Sequence, residues 1–150
     1  MAFRYSLQPL LRLRLSLERQ EEQRLFAIAA LVARLRADLD QLELDSFEAR
    51  RAELRELAEV GLGSGSSIQF AAICREAFDV ARKKMTLELQ EAERKRLHQL
   101  KEYQAVRQKR EILEGLRERQ KAAYELEFAR HEQQTADETF LIRAYLSSNE

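Results

Sequence analysis

The sequence contains few of the residues that end helices or build disulfide and metal frameworks. Its 150 residues include one proline, four glycines, one cysteine and no tryptophan. The lone Cys74 excludes a disulfide framework within the chain and a cysteine-based metal cluster, and it fits a reducing compartment. The 26 basic and 26 acidic residues leave no net charge, whereas nucleic-acid-binding proteins usually carry a basic excess. We therefore expect no nucleic acid among the partners.

Long apolar runs are also missing. Arg12 and Arg14 interrupt the apolar N-terminal stretch, and no small-residue cleavage site follows it, which is unlike a signal peptide. No window approaches the ~18 uncharged apolar residues that a membrane-spanning helix needs. We therefore expect a cytoplasmic protein, which is either free or docked on a membrane from the cytoplasmic side.

Motifs of enzymatic chemistry are absent from the sequence. It has no G-x-x-x-x-G-K, no G-x-G-x-x-G that opens a helix and no H-E-x-x-H. Gly61, Gly63 and Gly65 resemble a phosphate loop only superficially, because no strand precedes them and no lysine follows. His98 and His131 are 33 residues apart, and a lone histidine on a charged helix is usually solvated. We predict no enzymatic activity, no cofactor, no metal and no small-molecule substrate.

The residues that are present predict helices. Ala, Leu, Glu, Arg, Lys and Gln dominate, and 35% of the chain is charged, a bias typical of long helices and coiled coils. Residues 11–17 read L-R-L-R-L-S-L, an alternation that would suit a strand. However, leucine and arginine favour helices, and Pro9 suits a first helical turn. We predict a helix whose wide leucine arc contacts several neighbours. The alternative is a membrane-surface helix, which Glu18, Glu21 and Glu22 disfavour.

The segment VGLGSGSSI divides the chain into two helical parts. Glycine ends helices at little cost, and Ser66 with Gln69 forms an S-x-x-Q capping pattern that restarts one. A short connection between helices implies antiparallel neighbours. We predict an all-α fold, a long antiparallel two-helix coiled coil that forms a single domain over residues 1–150. Its parts are helix 1 over about 7–60, a turn over 61–66 and helix 2 over about 67–145.

Each helix carries an apolar stripe. In helix 1 the spacing 3-4-3-4-3 marks a coiled-coil seam, formed by Leu25, Ile28, Val32, Leu35, Leu39 and Leu42. The stripe then drifts through Phe47 and Ala49 to Leu54 and Leu57. In helix 2 a second stripe consists of Ile68, Phe70, Ile73, Cys74, Ala77, Phe78, Ala81 and Met85. We expect the two stripes to pack on each other.

Aromatic residues allow two interpretations. We predict that those near the turn, Phe47, Phe70 and Phe78, fill the seam. The alternative is that some of them face outward and bind a partner. Helix 2 is longer than helix 1, so its C-terminal part should extend past its neighbour. That overhang carries Tyr124, Phe128, Phe140 and Tyr145.

Both ends of the chain show a family resemblance. The first stretch reads Phe3-Arg4-Tyr5-x-Leu7-Gln8-Pro9-Leu10-Leu11-x-Leu13-Arg14, followed by Glu18. The second reads Glu111-x-Leu113-Glu114-x-Leu116-Arg117-x-Arg119, followed by Tyr124, Arg130, Glu132-Gln133 and Asp137-Glu138. These motifs resemble those of the flagellar export protein FliJ family, and the central glycine turn also fits.

This resemblance implies an antiparallel coiled-coil stalk. Such a stalk sits in the central pore of the hexameric flagellar export ATPase and promotes its assembly. It also contacts the cytoplasmic domain of the export gate and receives emptied export chaperones. The resemblance thus implies a cytoplasmic protein that is peripheral at the inner membrane through the export apparatus.

The resemblance also implies two partner-binding regions. The gate-contacting region includes Leu44, Phe47, Ile73 and Phe78 in this sequence. The end inserted in the ATPase ring would comprise residues 3–17 and 120–138, with Tyr124 and Phe128 among them.

Two other hypotheses remain open at this point. One is the equivalent stalk of a virulence injectisome, although the Phe3–Leu11 opening and the Asp137-Glu138 ending favour the flagellar system. The other is an unrelated structural coiled coil that dimerises in parallel through Leu25–Leu42.

Overall fold

The computed structural model describes residues 3–60 and 65–148, which form two long helices and no strand. Helix α1 runs over Gln8–Val60 and helix α2 over Gly65–Ser148. The helices pack against each other as a helical hairpin, which confirms the predicted all-α fold. Gly61 and Gly63 of the predicted turn lie outside the described residues. Gly65 and Ser66 belong to the first turn of α2, so the helix begins before the expected residue 67.

The alternating stretch at 11–17 lies wholly within α1, as predicted. Pro9 is the second helical residue, where a backbone N–H would have no partner within the helix. The Gln8 N–H donates to the Tyr5 carbonyl at 3.1 Å, and the Leu11 N–H donates to the Leu7 carbonyl at 2.9 Å. The prediction that this leucine arc contacts several neighbours stays a prediction, since α2 is the one neighbour within the described part of the chain. Leu11 is buried, but its neighbours Leu10, Leu13 and Leu15 are exposed, because a single opposing helix covers only one stripe.

The contacts of the chain form two compact units. The terminal unit comprises Met1–Arg19 with Gln104–Glu150, and the central unit comprises Gln20–Tyr103. Within the terminal unit, the Tyr5 hydroxyl donates to the Leu113 carbonyl at 2.9 Å. Within the central unit, cross-helix pairs join Glu21 to Gln99, Arg36 to Glu93 and Glu53 to Arg75. In these pairs the residue number on α2 falls as the residue number on α1 rises. The two helices therefore pack antiparallel in the central unit.

The seam predicted for α1 in the central unit is confirmed. All six residues from Leu25 to Leu42 are buried or half-buried, and Val32 is only 3% exposed. The seam is covered by α2 of the same chain. The alternative of a parallel dimer through Leu25–Leu42 is therefore wrong.

Beyond Leu42 the seam differs from the predicted drift. Ser46, Glu53 and Leu57 occupy it, whereas Phe47 and Leu54 are exposed. The reason is geometric: the heptad phase set by the upstream seam continues, and a residue one step further along the helix points about 100° away. Of the four residues in the predicted drift, Leu57 faces inward in the structure.

The stripe predicted for α2 is half correct. Cys74, Phe78, Ala81 and Met85 are half-buried. The others in that stripe, Ile68, Phe70, Ile73 and Ala77, are exposed. Past Met85 the inward residues are Leu89 and Ala92, a 4-4-3 spacing that locally departs from the heptad.

Replacing Val32 with alanine should destabilise the protein by about 2 kcal/mol, because it removes buried methyl groups and leaves a cavity. The matched control is Val80→Ala, since Val80 lies in α2 of the same unit and is 61% exposed. Its effect should stay within about 0.5 kcal/mol. Urea unfolding followed by circular dichroism measures both. Equal losses of unfolding free energy in the two variants would contradict the assignment of Val32 to the seam.

Candidate partner-binding surfaces

The aromatic residues near the connection between the helices do not all fill the seam. Phe47 is 64% exposed and Phe70 is 69% exposed, so the prediction that they pack inside the seam is wrong. Phe78 is half-buried. Leu44 and Ile73 are exposed as well, so three of the four candidate gate-contacting residues face solvent.

A groove lies between the two helices in the central unit. It has a volume of about 590 Å³ and is bounded by residues 42–57 of α1 and 67–82 of α2; we call it the tip groove. Many of its lining residues have small side chains, including Ser46, Ala49, Ala52, Ala71 and Cys74. The axes of packed helices are ordinarily about 8–10 Å apart. Small side chains do not fill the space between two such helices.

The four candidate gate-contacting residues do not form one cluster in the groove. Phe78 lines the tip groove, whereas Leu44, Phe47 and Ile73 are not among its lining residues. Sequence reasoning missed the groove itself. The available signal was the run of small residues on both helices near the glycines.

The terminal unit holds an aromatic cluster. The ring centroids of Phe3 and Tyr124 are 5.7 Å apart, and those of Tyr124 and Phe128 are 6.3 Å apart. Such distances are typical of stabilising aromatic pairs. Tyr124 is half-buried and Phe128 is exposed. The cluster therefore joins the segment before α1 to the later part of α2.

The predicted overhang of α2 corresponds to a fully exposed stretch. Every residue from 125 to 147 is exposed, including Phe140 and Tyr145. The end of this stretch is rich in exposed apolar side chains: Phe140, Leu141, Ile142, Tyr145 and Leu146.

An ion pair lies inside the seam of the terminal unit. The Arg110 Nε lies 2.5 Å from Glu18 Oε2, and the two side chains are only 16% and 13% exposed. Arg110 also pairs with Glu114. The hydrogen bond with Glu18 is the main cause that raises the pKa of Arg110 above its usual value. Sequence reasoning missed this pair, although extending the 3-4 spacing back from Leu25 leads through Glu21 to Glu18.

Neither helix, over the described residues, has a stretch long and apolar enough to cross a membrane. Within residues 3–60 and 65–148, no group of His, Cys, Asp and Glu side chains is arranged to hold a metal ion. The candidate surfaces consist of apolar and charged side chains.

A family model described as "Flagellar FliJ protein" matches residues 3–150. The chain belongs to the FliJ family. FliJ proteins are structural stalk proteins rather than enzymes, with a role related to flagellar export. A search of curated proteins and a search of solved structures gave no match to this FliJ-family chain. The match begins at Phe3 and includes both the aromatic cluster and the tip groove.

Replacing Arg110 with methionine should destabilise this FliJ-family protein by about 1–2 kcal/mol, because it leaves the Glu18 carboxylate without its main partner in a largely covered position. The control is Arg107→Met, whose ion pair with Glu111 is exposed and should contribute less to stability. Adding Glu18→Met to Arg110→Met should recover part of the loss. Urea unfolding measures all three, and no recovery in the double variant would contradict the pairing.

Stability should also depend on pH through Glu111. Its hydrogen bond with Arg107 lowers its pKa from the usual 4.5, with a smaller contribution from the charge of Arg110. A lowered folded-state pKa stabilises the fold above 4.5, and this contribution is lost as the pH falls through the folded-state value. Glu111→Gln should therefore lower the midpoint of thermal unfolding at pH 7, with a difference from wild type that narrows below pH 4.5.

The control for this pH effect uses the partner of Glu111. In an Arg107→Gln background, Glu111→Gln should have a smaller effect at pH 7, because the main interaction is already gone. A difference that widened on acidification would show that another group is responsible.

Proposed function

We propose that this chain is a non-enzymatic stalk and adaptor of the flagellar type III protein export apparatus. In this role it inserts into the hexameric export ATPase, contacts the cytoplasmic domain of the export gate and takes part in the cycling of export chaperones. It acts at the cytoplasmic face of the inner membrane, where the apparatus holds it. The observation that carries the proposal is the family match over residues 3–150 of a helical hairpin. Because the matched family is flagellar, we favour that system over an injectisome.

The terminal unit is the end that we assign to the ATPase ring. Residues 125–147 are exposed around the whole helix, so this part of α2 can be contacted from every side, as the pore of a ring requires. Phe3, Tyr124 and Phe128 form a cluster at the start of that stretch. The chain has no net charge, so no overall electrostatic attraction would hold it to one wall of the pore.

The central unit is the part that we assign to the export gate. Leu44, Phe47 and Ile73 are large apolar side chains that face solvent. Exposed apolar groups of this kind mark interaction surfaces when they cluster and are rimmed by polar residues. Phe78 adds a half-buried ring on the wall of the tip groove.

Gate binding is tested with the cytoplasmic domain of the export gate in a pull-down followed by calorimetry. Phe47→Ala and Ile73→Ala should each weaken binding about tenfold, the effect of losing a contact worth 1.4 kcal/mol. The matched control is Phe26→Ala, because Phe26 is also in α1 and is 77% exposed but lies outside the candidate set. If both variants bind like wild type while helicity is unchanged, the gate assignment is wrong.

ATPase stimulation tests the other end independently. The chain should raise the ATP hydrolysis rate of the hexameric export ATPase and should hydrolyse no ATP by itself. Phe128→Ala should reduce the stimulation several-fold, because it removes an exposed ring of the terminal cluster, whereas Phe47→Ala should leave the stimulation intact. The absence of stimulation by wild type would contradict the stalk role.

A further inference from the structure

The tip groove is an unfilled apolar surface within the central unit. Ile68 and Phe70 line it and remain at least half exposed. Its other apolar lining residues include Leu42, Leu57 and Phe78. Covering this groove would remove large apolar side chains from water, which favours association.

Most charged residues on one wall of the groove have an opposite charge across from them on the other wall, although Glu56 on the α1 wall has none. The Glu53 carboxylate on α1 lies 3.5 Å from the Arg75 guanidinium on α2. Arg50 lies three residues before Glu53, and Asp79 lies four residues after Arg75, so both are about one turn along from that pair.

The pattern continues two to three turns from the same pair. Glu43 lies on the α1 wall, and Arg82 lies on the α2 wall. From Glu43 to Glu56 the α1 wall therefore reads minus, plus, minus, minus, and from Arg82 to Arg75 the α2 wall reads plus, minus, plus.

This pattern is self-complementary under one symmetry operation. A two-fold axis parallel to the helices places the α1 wall of one copy opposite the α2 wall of a second copy at the same level. Arg50 then faces Asp79 of the other copy and Glu53 faces Arg75, while Glu43 lies within about one turn of the level of Arg82. Every helix also has antiparallel neighbours, as in a four-helix bundle. We propose that the tip groove is a self-association surface, at which two copies of this chain pair their central units face to face.

The opposite orientation is disfavoured by charge. A two-fold axis across the middle of the groove would place α1 against α1 and α2 against α2. Arg50 would then face Arg50 of the other copy, and Arg75 would face Arg82, which are like-charge contacts. Like charges at an interface suppress the wrong arrangement.

The ion pairs within one copy do not prevent this exchange. Arg75–Glu53 and Arg82–Asp79 are both 3.5 Å pairs with exposed arginines. Exposed ion pairs contribute little to stability, because water screens their charges. The arginines can therefore contact carboxylates of a second copy while the seam stays intact.

Two charge variants test the proposal without any other protein. Variant A carries Glu43→Lys and Glu53→Lys, so both walls are largely basic. Variant B carries Arg75→Glu and Arg82→Glu, so both walls are largely acidic. Wild type should double its molar mass from 17.6 kDa with rising concentration in light scattering. A alone and B alone should stay monomeric, whereas an equimolar mixture of A and B should form a dimer, because each wall of A then faces an opposite wall of B.

The matched control for variant A is Glu48→Lys with Glu59→Lys. It makes the same change in charge on exposed residues of α1 that do not line the groove, and it should dimerise like wild type. Circular dichroism checks that each variant keeps its helicity, since Glu53→Lys also faces Arg75 within its own copy.

A second variant tests the surface even if the charge variants lose helicity. Phe70→Ala should weaken self-association about tenfold, whereas Phe26→Ala should not change it. A wild-type protein that stays monomeric at every concentration would overturn the proposal, and so would folded A and B that fail to associate when mixed. Either failure leaves the stalk function untouched, because neither the ATPase nor the gate is present in this experiment.

Discussion

The packing of one α1 stripe on α2 is the constraint from which the rest of the structure follows. From Leu11 to Ser46 the inward residues of α1 follow 3-4 steps, and each of them must meet the second helix. Two helices can cover only one stripe each, so few side chains are fully enclosed. Among the described residues the buried apolar side chains are Tyr5, Leu11, Val32 and Ala92. Stability is therefore spread along the seam, where cross-helix polar contacts such as Glu18–Arg110 and Arg36–Glu93 add to it.

The same constraint explains why so many large side chains of the described residues remain on the surface. Over the described residues a single pair of helices leaves most large apolar side chains exposed, and the FliJ family is one of stalk proteins. What the described residues present are exposed apolar side chains and patterned charges. Phe47 and Ile73 on the central unit and the aromatic cluster around Tyr124 on the terminal unit are the surfaces on which our functional proposals rest.

The helix propensities of the residues are sufficient to predict the two helices. They are insufficient to predict which residues face inward near the connection between α1 and α2. The stretch at 11–17 is helical because leucine and arginine favour helices, and the seam at Leu25–Leu42 was readable because its spacing is regular. Hydrophobicity alone predicts that Phe47 and Phe70 face inward. In the structure the upstream heptad phase decides, and it turns Ser46 and Glu53 inward. The tip groove and the Glu18–Arg110 pair depend on which residues of the two helices lie opposite each other, and the pattern of one helix does not contain that information.

The exposed stretch of α2 over residues 125–147 has a consequence for local opening. An isolated helix of this length is only marginally stable in water, because most helical stability in proteins comes from a packed face. Unwinding from Ser148 inward breaks almost no side-chain packing, so backbone amides there will exchange hydrogen with solvent sooner than those opposite α1. A protein that binds this stretch will slow that exchange. The exchange rate of each amide therefore reports whether the binding protein covers that residue.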